Sequence, residues 1–496
     1  MAEAHGMDRG TAQSRQSRRL AGLLLAGTML AAMPALAQDA TSTADTFSNP
    51  LPNQIQVQAG TGAIATETTA GTAAQPALIA DQQAAAADDD LTGAIRRTDP
   101  EAERLNLPEG TVDNVRSPDG DPYEPTGIRL GTFVLKPSLT QGLGYERNRS
   151  GSTATSRTFS QTGIRGSLTS DWSRHQLTID ADGIYQRNLS GTGETEPQLR
   201  INGDLRLDLS DDTIVNITGG YAFERESSND PNAVDGASAQ SGVQTLTGGA
   251  RVTRDFGLIR GTLGTELERR TYGSATLSDG SRLDLSDRNY TEATVTGRIG
   301  YELSPALIPY LEASVGRSFY DDKTDSLGYE RSATTLGARA GVEVDLGEKL
   351  RGDLGLGYEQ ASFDDNRLDT IRALTVDGSV FWSPQRGTDL RLGLQTQIEP
   401  STAGGQSGYV SYAANAELTH ELRDNLVARL SAAYTWRNLP TELGPDQNIY
   451  LIGTGLTWNI NRWLAVTGDV SYELTRQARA SDTGVTRAGI GLVLRR

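Results

Sequence analysis

The stretch LRINGDLRLDL at residues 199–209 sets Leu199, Ile201, Gly203, Leu205, Leu207 and Leu209 against Arg200, Asn202, Asp204, Arg206 and Asp208. A period of two gives a pleated strand one apolar and one charged face, whereas a helix would scatter the same residues around its circumference. The next run repeats the pattern, with Val215, Ile217, Gly219, Tyr221 and Phe223 alternating with Asn216, Thr218, Gly220 and Glu224. It returns in Ile259, Leu263 and Leu267 against Arg260, Thr262, Glu266 and Glu268, and in Leu390, Leu392, Leu394 and Ile398 against Arg391, Gln395, Gln397 and Glu399. Near the end Leu464, Val466, Val470, Tyr472 and Leu474 oppose Thr467, Asp469, Ser471 and Glu473. Such runs exceed the usual length of strands in soluble sheets and match tilted strands that cross a bilayer.

The connections alternate in type. Short turns fall near Trp172–Arg174, Asp211–Asp212, Arg254–Phe256, Ser304–Ala306, Gly347–Lys349, Pro384–Gly387, Arg423–Asn425 and Asn459–Arg462. Longer polar segments lie between them, near 148–157, 190–197, 227–241, 273–287, 321–331, 364–369, 400–408, 438–447 and 477–483. Nine longer loops imply nine hairpins and so about 18 strands, with 16 as the alternative, and an even count puts both ends on the periplasmic side. The fold class is all-β: a transmembrane antiparallel up-and-down β-barrel over 128–496. None of the loops reads as long enough to fold inward as a constriction, so a wide bore or a separate plug is expected.

Aromatic residues mark the strand ends. Trp172, Phe256, Phe381, Trp382, Trp458 and Trp463 gather at the short turns. Tyr145, Tyr185, Tyr221, Tyr272, Tyr290, Tyr358, Tyr409, Tyr434 and Tyr472 gather at the loop ends. Two interfacial belts follow from the preference of amphipathic rings for the water–lipid boundary. The polar set is then the wall of a lumen, with Arg206, Asp204, Arg260, Glu266, Arg298, Arg339, Glu343, Arg351, Asp353, Arg391, Glu399, Arg429, Asp469 and Glu473 as candidate lining residues. Arg dominates over Lys there, and its planar fork suits ladders of ion pairs between strands.

Ahead of the barrel the chain changes character twice. Arg15, Arg18 and Arg19 precede an apolar run from Leu20 to Met33, and Ala35-Leu36-Ala37 follows, the layout of a secretory signal peptide cleaved near Ala37. Four Arg and two acidic residues leave with segment 1–37, taking the net charge from −17 to −19. Segment 38–90 is an Ala/Thr/Gln-rich linker whose composition predicts disorder. Segment 91–127 is rich in Pro and Asp and reads as a periplasmic segment or a plug.

Composition narrows the classes further. The chain has 496 residues, 55 Gly, 36% hydrophobic residues and no Cys. With a mean hydropathy of −0.43 a bundle of membrane-spanning helices is excluded, while a barrel diluted by alternation is not. The absence of Cys removes disulfides, thiolate metal sites and cysteine nucleophiles. An isoelectric point near 4.8 argues against nucleic acid as a partner. Of three histidines, His5 leaves with the leader and His175 and His420 fall in different hairpins, so no catalytic constellation forms, and neither a cofactor nor a metal site is expected. Asp88–Asp90 and Asp364–Asp365 lack the ligand spacing of a defined calcium loop. Glycines inside strands, such as Gly355 and Gly357, are expected to relieve crowding.

The junction from Asp121 to Phe133, DPYEPTGIRLGTF, followed by Lys136-Pro137-Ser138-Leu139 and Gly144-Tyr145-Glu146-Arg147-Asn148, resembles the entry to the Putative beta-barrel porin 2 family. The resemblance covers about 120–496 and implies a single outer-membrane barrel of poorly defined substrate; with its histidines scattered, the chain is not expected to be an enzyme. Links of some relatives to exopolysaccharide systems make polymer export the second reading, and a plugged structural barrel the third. One departure is the end of the last strand, Gly491–Arg496, which lacks the terminal aromatic of the usual assembly signal although Leu492 and Leu494 keep the alternation. The expected function is passive diffusion of small hydrophilic solutes through the outer membrane. The expected partners are outer-membrane lipid, lipopolysaccharide and the barrel-assembly machinery; the sequence carries no signal for oligomeric state.

Overall fold

A computed structural model of the chain describes residues 123–496 apart from 192, 403, 441–443 and 479. The leader at 1–37, the linker at 38–90 and all but the end of segment 91–127 lie outside the described residues. The strands begin with β1 (Ile128–Leu130), β2 (Phe133–Ser150), β3 (Thr153–Ser170), β4 (His175–Gly191), β5 (Gln198–Ser210), β6 (Thr213–Arg225) and β7 (Ala237–Ala239). They continue with β8 (Gly242–Asp255), β9 (Ile259–Tyr272), β10 (Ala275–Leu277), β11 (Arg282–Leu283), β12 (Tyr290–Tyr301), β13 (Leu307–Tyr320), β14 (Ala333–Asp345) and β15 (Leu350–Phe363). The last are β16 (Ile371–Gln385), β17 (Thr388–Pro400), β18 (Gly408–Arg423), β19 (Leu426–Asn438), β20 (Gln447–Asn461), β21 (Leu464–Gln477) and β22 (Thr483–Arg495). The only described helical element is a 3-10 turn at Ser286–Arg288.

Eighteen of these strands form one antiparallel sheet that closes on itself, each paired with the next barrel strand in the chain and β22 paired with β2 from Ser138↔Arg495 to Ser150↔Thr483. The count of eighteen holds, and closure removes the sheet edges that a bilayer could not solvate. The start of β2 runs beyond the reach of β22, and there β1 folds back and covers it, from Ile128↔Leu135 to Leu130↔Phe133. The strands β7, β10 and β11 make a small separate sheet in the loops.

The period of two has the predicted consequence. Leu263, Leu267, Ile299, Leu311, Leu356 and Leu374 stand on the outside, each more than half exposed, while their sequence neighbours Glu268, Glu312 and Ala373 on the inner face are buried. In water an outer surface so rich in Leu and Ile would be an aggregation hazard, and in hydrocarbon it is the favourable one. The strands are longer than the bilayer requires and carry their ends into the interfacial and aqueous zones.

Three sequence expectations need correction. The segment 148–157 is not a long loop: β2 and β3 continue to a tight turn at Gly151-Ser152, with Gly151 at φ +56°. Tyr272 does not join the outer belt. It shares the parity of the buried Glu268 and Arg270 on β9 and pairs with the buried Val243, so it points inward, as do Tyr290 and Tyr409. Phe381, register partner of Arg351 and Arg391, faces inward and stacks under both guanidinium groups. The remaining ring positions fall at strand ends. Phe256, Trp382, Trp458 and Trp463 are exposed at the turn end, Trp172 packs edge-on to Phe133, and Tyr145, Tyr185, Tyr358, Tyr434 and Tyr472 are exposed toward the loop end. Tyr221 sits beside them and donates to Gln244 across the strands.

One pair of neighbours is unlike the rest. The ladder between β16 and β17 runs from Gln385↔Thr388 to Gly378↔Leu394 and stops there, although both strands continue, to Ile371 and Pro400.

Candidate functional site: the charged lumen and its crossing loop

Strand parity brings the fourteen lining candidates to the inner face: Asp204 and Arg206 on β5, Arg260 and Glu266 on β9, Arg298 on β12, and Arg339 and Glu343 on β14. They continue with Arg351 and Asp353 on β15, Arg391 and Glu399 on β17, Arg429 on β19, and Asp469 and Glu473 on β21. Ion pairs draw several of them into separate belts. In the first, Glu312 of β13 takes Arg298 at 2.7 Å and Arg339 at 2.6 Å, Arg298 also reaches Asp353 at 3.1 Å, and Arg339 reaches Asp377 at 3.4 Å, so five consecutive strands are tied. The ring of Tyr310 lies under Arg298 at 3.9 Å and its hydroxyl donates to Asp353 at 2.9 Å. That ring crosses β14 and β15 only because no Cβ is present there. One built on Gly341 would fall 2.4 Å from the Tyr310 ring, and one on Gly355 2.9 Å from its hydroxyl.

A second belt spans the closure. Arg157 of β3 and Arg487 of β22 both bind Glu146 of β2 at 2.9 Å, and Arg487 extends to Glu196 at 3.6 Å and Glu473 at 3.8 Å. Elsewhere Arg260 holds Asp255 at 2.7 Å, Glu302 at 2.8 Å and Glu343 at 3.8 Å, while Glu417 joins Arg391 and Arg429. Mixed signs in close pairs cost less than isolated buried charges and fix side-chain positions across the inner face. Arg351 engages the ring of Phe381, and Arg206 pairs with Asp208 at 2.9 Å within β5 itself.

Nothing in the sequence marks the loop at 226–241 for the role it takes. It joins β6 and β8, the fifth and sixth barrel strands, yet its tip is bound by β19 and β20, the fifteenth and sixteenth, close to half-way round the cylinder. Arg437 of β19 donates to the Asn229 carbonyl at 3.2 Å and pairs with Asp230 at 3.2 Å, and Gln447 of β20 donates to the same carbonyl at 3.2 Å. Asn232 donates to the Pro400 carbonyl at 3.3 Å and accepts from the Thr402 amide at 2.9 Å. Arg288 anchors the near side, on the Asn232 carbonyl at 3.0 Å and Glu226 at 3.4 Å. The expectation that no loop folds inward is therefore corrected: a loop of ordinary length crosses the bore because long side chains meet it from the far wall.

Other loops join it. Asp325 accepts amides of Leu327, Tyr329 and, from the loop after β17, Gly405. Burial pushes its carboxyl up, but these three donors outweigh burial and hold it below the usual range. Burial raises the Glu226 carboxyl to about 7, prevailing over the attraction of Arg288 and reinforced by Asp230. His175 accepts from the Asp208 amide and His420 is hydrogen-bonded to the Thr388 hydroxyl, in separate hairpins. Among the described residues no group of His and acidic side chains could hold a metal ion.

A closed antiparallel cylinder of eighteen strands, apolar outside and charged inside, with a loop folded across its bore, defines an outer-membrane porin-like barrel. The family profile described as Putative beta-barrel porin 2 matches residues 121–496, and the chain belongs to that family, whose fold is that of channel proteins. Solved structures similar to it include the outer membrane protein OpdK from Pseudomonas aeruginosa, at 12% identity over 73% of this chain and 99% of that one, with a TM-score of 0.36. OccAB4 from Acinetobacter baumannii gives 12% identity over 73% and 98% with a TM-score of 0.36, and OpdO from Pseudomonas aeruginosa 15% over 73% and 97% with 0.36. No curated protein matches the chain in sequence.

Proposed function

We propose that the barrel is a diffusion channel for small hydrophilic solutes, exported by a leader cleaved near Ala37 and seated with its turn end toward the periplasm. The observation that carries this reading is the crossing loop: Asn229–Asn232 is tied to the far wall by Arg437 and Gln447 and to the near side by Arg288, through polar contacts alone, and we read it as narrowing the bore to an eyelet. An eyelet of fixed, mixed charge passes small polar molecules and hinders chains, which favours solutes over polymer export. The lining residues of both belts hold the wall rigid and set the local field, with no surplus of one sign to impose strong ion selectivity.

The test is single-channel recording in planar bilayers of the mature protein and of a variant with residues 228–238 replaced by a short Gly-Ser link. Steady conductance that rises on loop replacement supports an eyelet. Absence of conductance in both proteins removes the channel reading.

A further inference from the structure

The wall parts between β16 and β17, and the chemistry at the parting is unlike that of the lumen. Val376 and Thr396 mark where the ladder ends. The Thr396 hydroxyl takes the Val376 amide at 2.8 Å and donates to its carbonyl at 3.2 Å, while the Thr396 amide donates to the Asp377 carboxylate at 2.9 Å. Side chains thus stand in for the main-chain partners at that level. Toward the loops the two strands no longer share a ladder. Ala361 and Ala373 belong to the inner face, as register partners of Ile371 and Glu359 and, for Ala373, as the sequence neighbour of the lipid-facing Leu374, which is 70% exposed. Ile398 and Val410 belong to the outer face, in line with Leu392, Leu394 and Leu418. These four nevertheless form one buried apolar cluster, with Ile371 and Tyr412 packed on it. An outer face can meet an inner face only where the free end of β17, with β18, tucks inside β15 and β16. The end of β17 is held in that place by Asn232 of the crossing loop, through the Pro400 carbonyl and the Thr402 amide.

We propose that this overlap is a lateral gate, through which an amphipathic molecule with a single acyl-type chain passes between the lumen and the outer leaflet. In hydrocarbon a parted ladder is costly, so sheets in membranes stay zipped unless other contacts compensate. Here the compensation is apolar and small, Ala against Ile and Val, a contact that can separate without breaking an ion pair. Beside it the loops that follow β6, β13 and β17 are tied to one another, Thr402 to Asn232 and Gly405 to Asp325. A polar headgroup would stay among the inner charges near Asp377 and Arg339 while its chain occupies the seam.

The native chain has no Cys, so a pair can be introduced cleanly. Full mature protein carrying Ala373→Cys and Ile398→Cys is reconstituted in vesicles with a lipopolysaccharide outer leaflet and tested with pyrene-labelled dodecanoate supplied from the lumen side. Before oxidation the protein should speed arrival of the probe in the leaflet several-fold over protein-free vesicles. Oxidation should abolish the gain, reduction should restore it, and ion conductance should stay unchanged throughout. A control pair in the intact ladder, Ser379→Cys with Gly393→Cys, should not alter transfer. Equal transfer in oxidised and reduced protein, equal loss in the control pair, no gain over protein-free vesicles, or failure of the Ala373→Cys and Ile398→Cys pair to cross-link would each overturn the gate. Transfer in a protein that shows no conductance before or after oxidation would remove the solute channel and leave the gate standing.

Discussion

Removal of Arg437 should release the crossing loop. Its guanidinium donates to the Asn229 carbonyl at 3.2 Å and to Gln447 at 2.8 Å, pairs with Asp230 at 3.2 Å, and lies over the Tyr409 ring. Its side chain is 14% exposed and that of Asp230 24%, so the pair is largely desolvated. Breaking a fully buried pair costs about 3–5 kcal/mol, and partial exposure brings the expected cost for Arg437→Ala to roughly 2–3 kcal/mol. At about 1.4 kcal/mol per tenfold, the ratio of docked to undocked loop falls roughly 30- to 150-fold. The contacts of Asn232 and Arg288 remain, so the loop should move between docked and undocked states and not leave the bore for good. Single-channel recording should show a larger mean conductance with flicker between two levels, and liposome swelling should admit larger sugars. Arg437→Lys keeps the charge without the fork and should fall between the two. Unchanged conductance, noise and size limit in a variant that keeps its heat-modifiable gel mobility would refute the claim that this contact holds an eyelet.

Two further outcomes follow from the same geometry. Glu226 in the docked loop has its pKa raised from 4.5 to about 7, so the docked state binds this proton more tightly than the released one. Docking is therefore firmest below 4.5, weakens as the pH rises from 4.5 to about 7 and is level above it; conductance noise should climb through that window, and Glu226→Gln should flatten the climb. Leu311 stands on the lipid face five residues into β13 and is 68% exposed, so Leu311→Arg should destabilise the folded barrel by about 1–3 kcal/mol, less than the midplane cost, in urea titrations from lipid bilayers. An unaltered midpoint would place Leu311 away from hydrocarbon.

The wall of this protein is legible in its sequence because strand physics is local. Parity along Leu199–Leu209 or Ile259–Leu267 assigns each side chain a face with no knowledge of its neighbours, and the same rule brings Arg298, Arg339 and Asp353 inward. The place of Tyr272 at a strand end suggests a belt, whereas counting from Leu267 turns it inward. The pairing of Arg298 with Glu312 is open to inspection in principle, since the two are register partners across a short turn. The crossing loop is not, because its partners Arg437 and Gln447 lie more than two hundred residues away and nothing local in residues 226–241 marks the far wall as their target. The parting of β16 from β17 is equally silent: Ile371–Asp377 and Gln395–Pro400 have ordinary strand composition, and only the tuck of one inside the other reveals it.

The central claim is that successive side chains alternate between hydrocarbon and an aqueous bore. Single cysteines at Ile201, Asn202, Gly203, Asp204, Leu205 and Arg206 of β5, where no inner-face position is buried, test it residue by residue in the protein reconstituted in bilayers, with a water-soluble maleimide and a membrane-soluble one. Positions 202, 204 and 206 should react with the first reagent and positions 201, 203 and 205 with the second. Reaction of all six with the water-soluble reagent, or a period other than two, would contradict it.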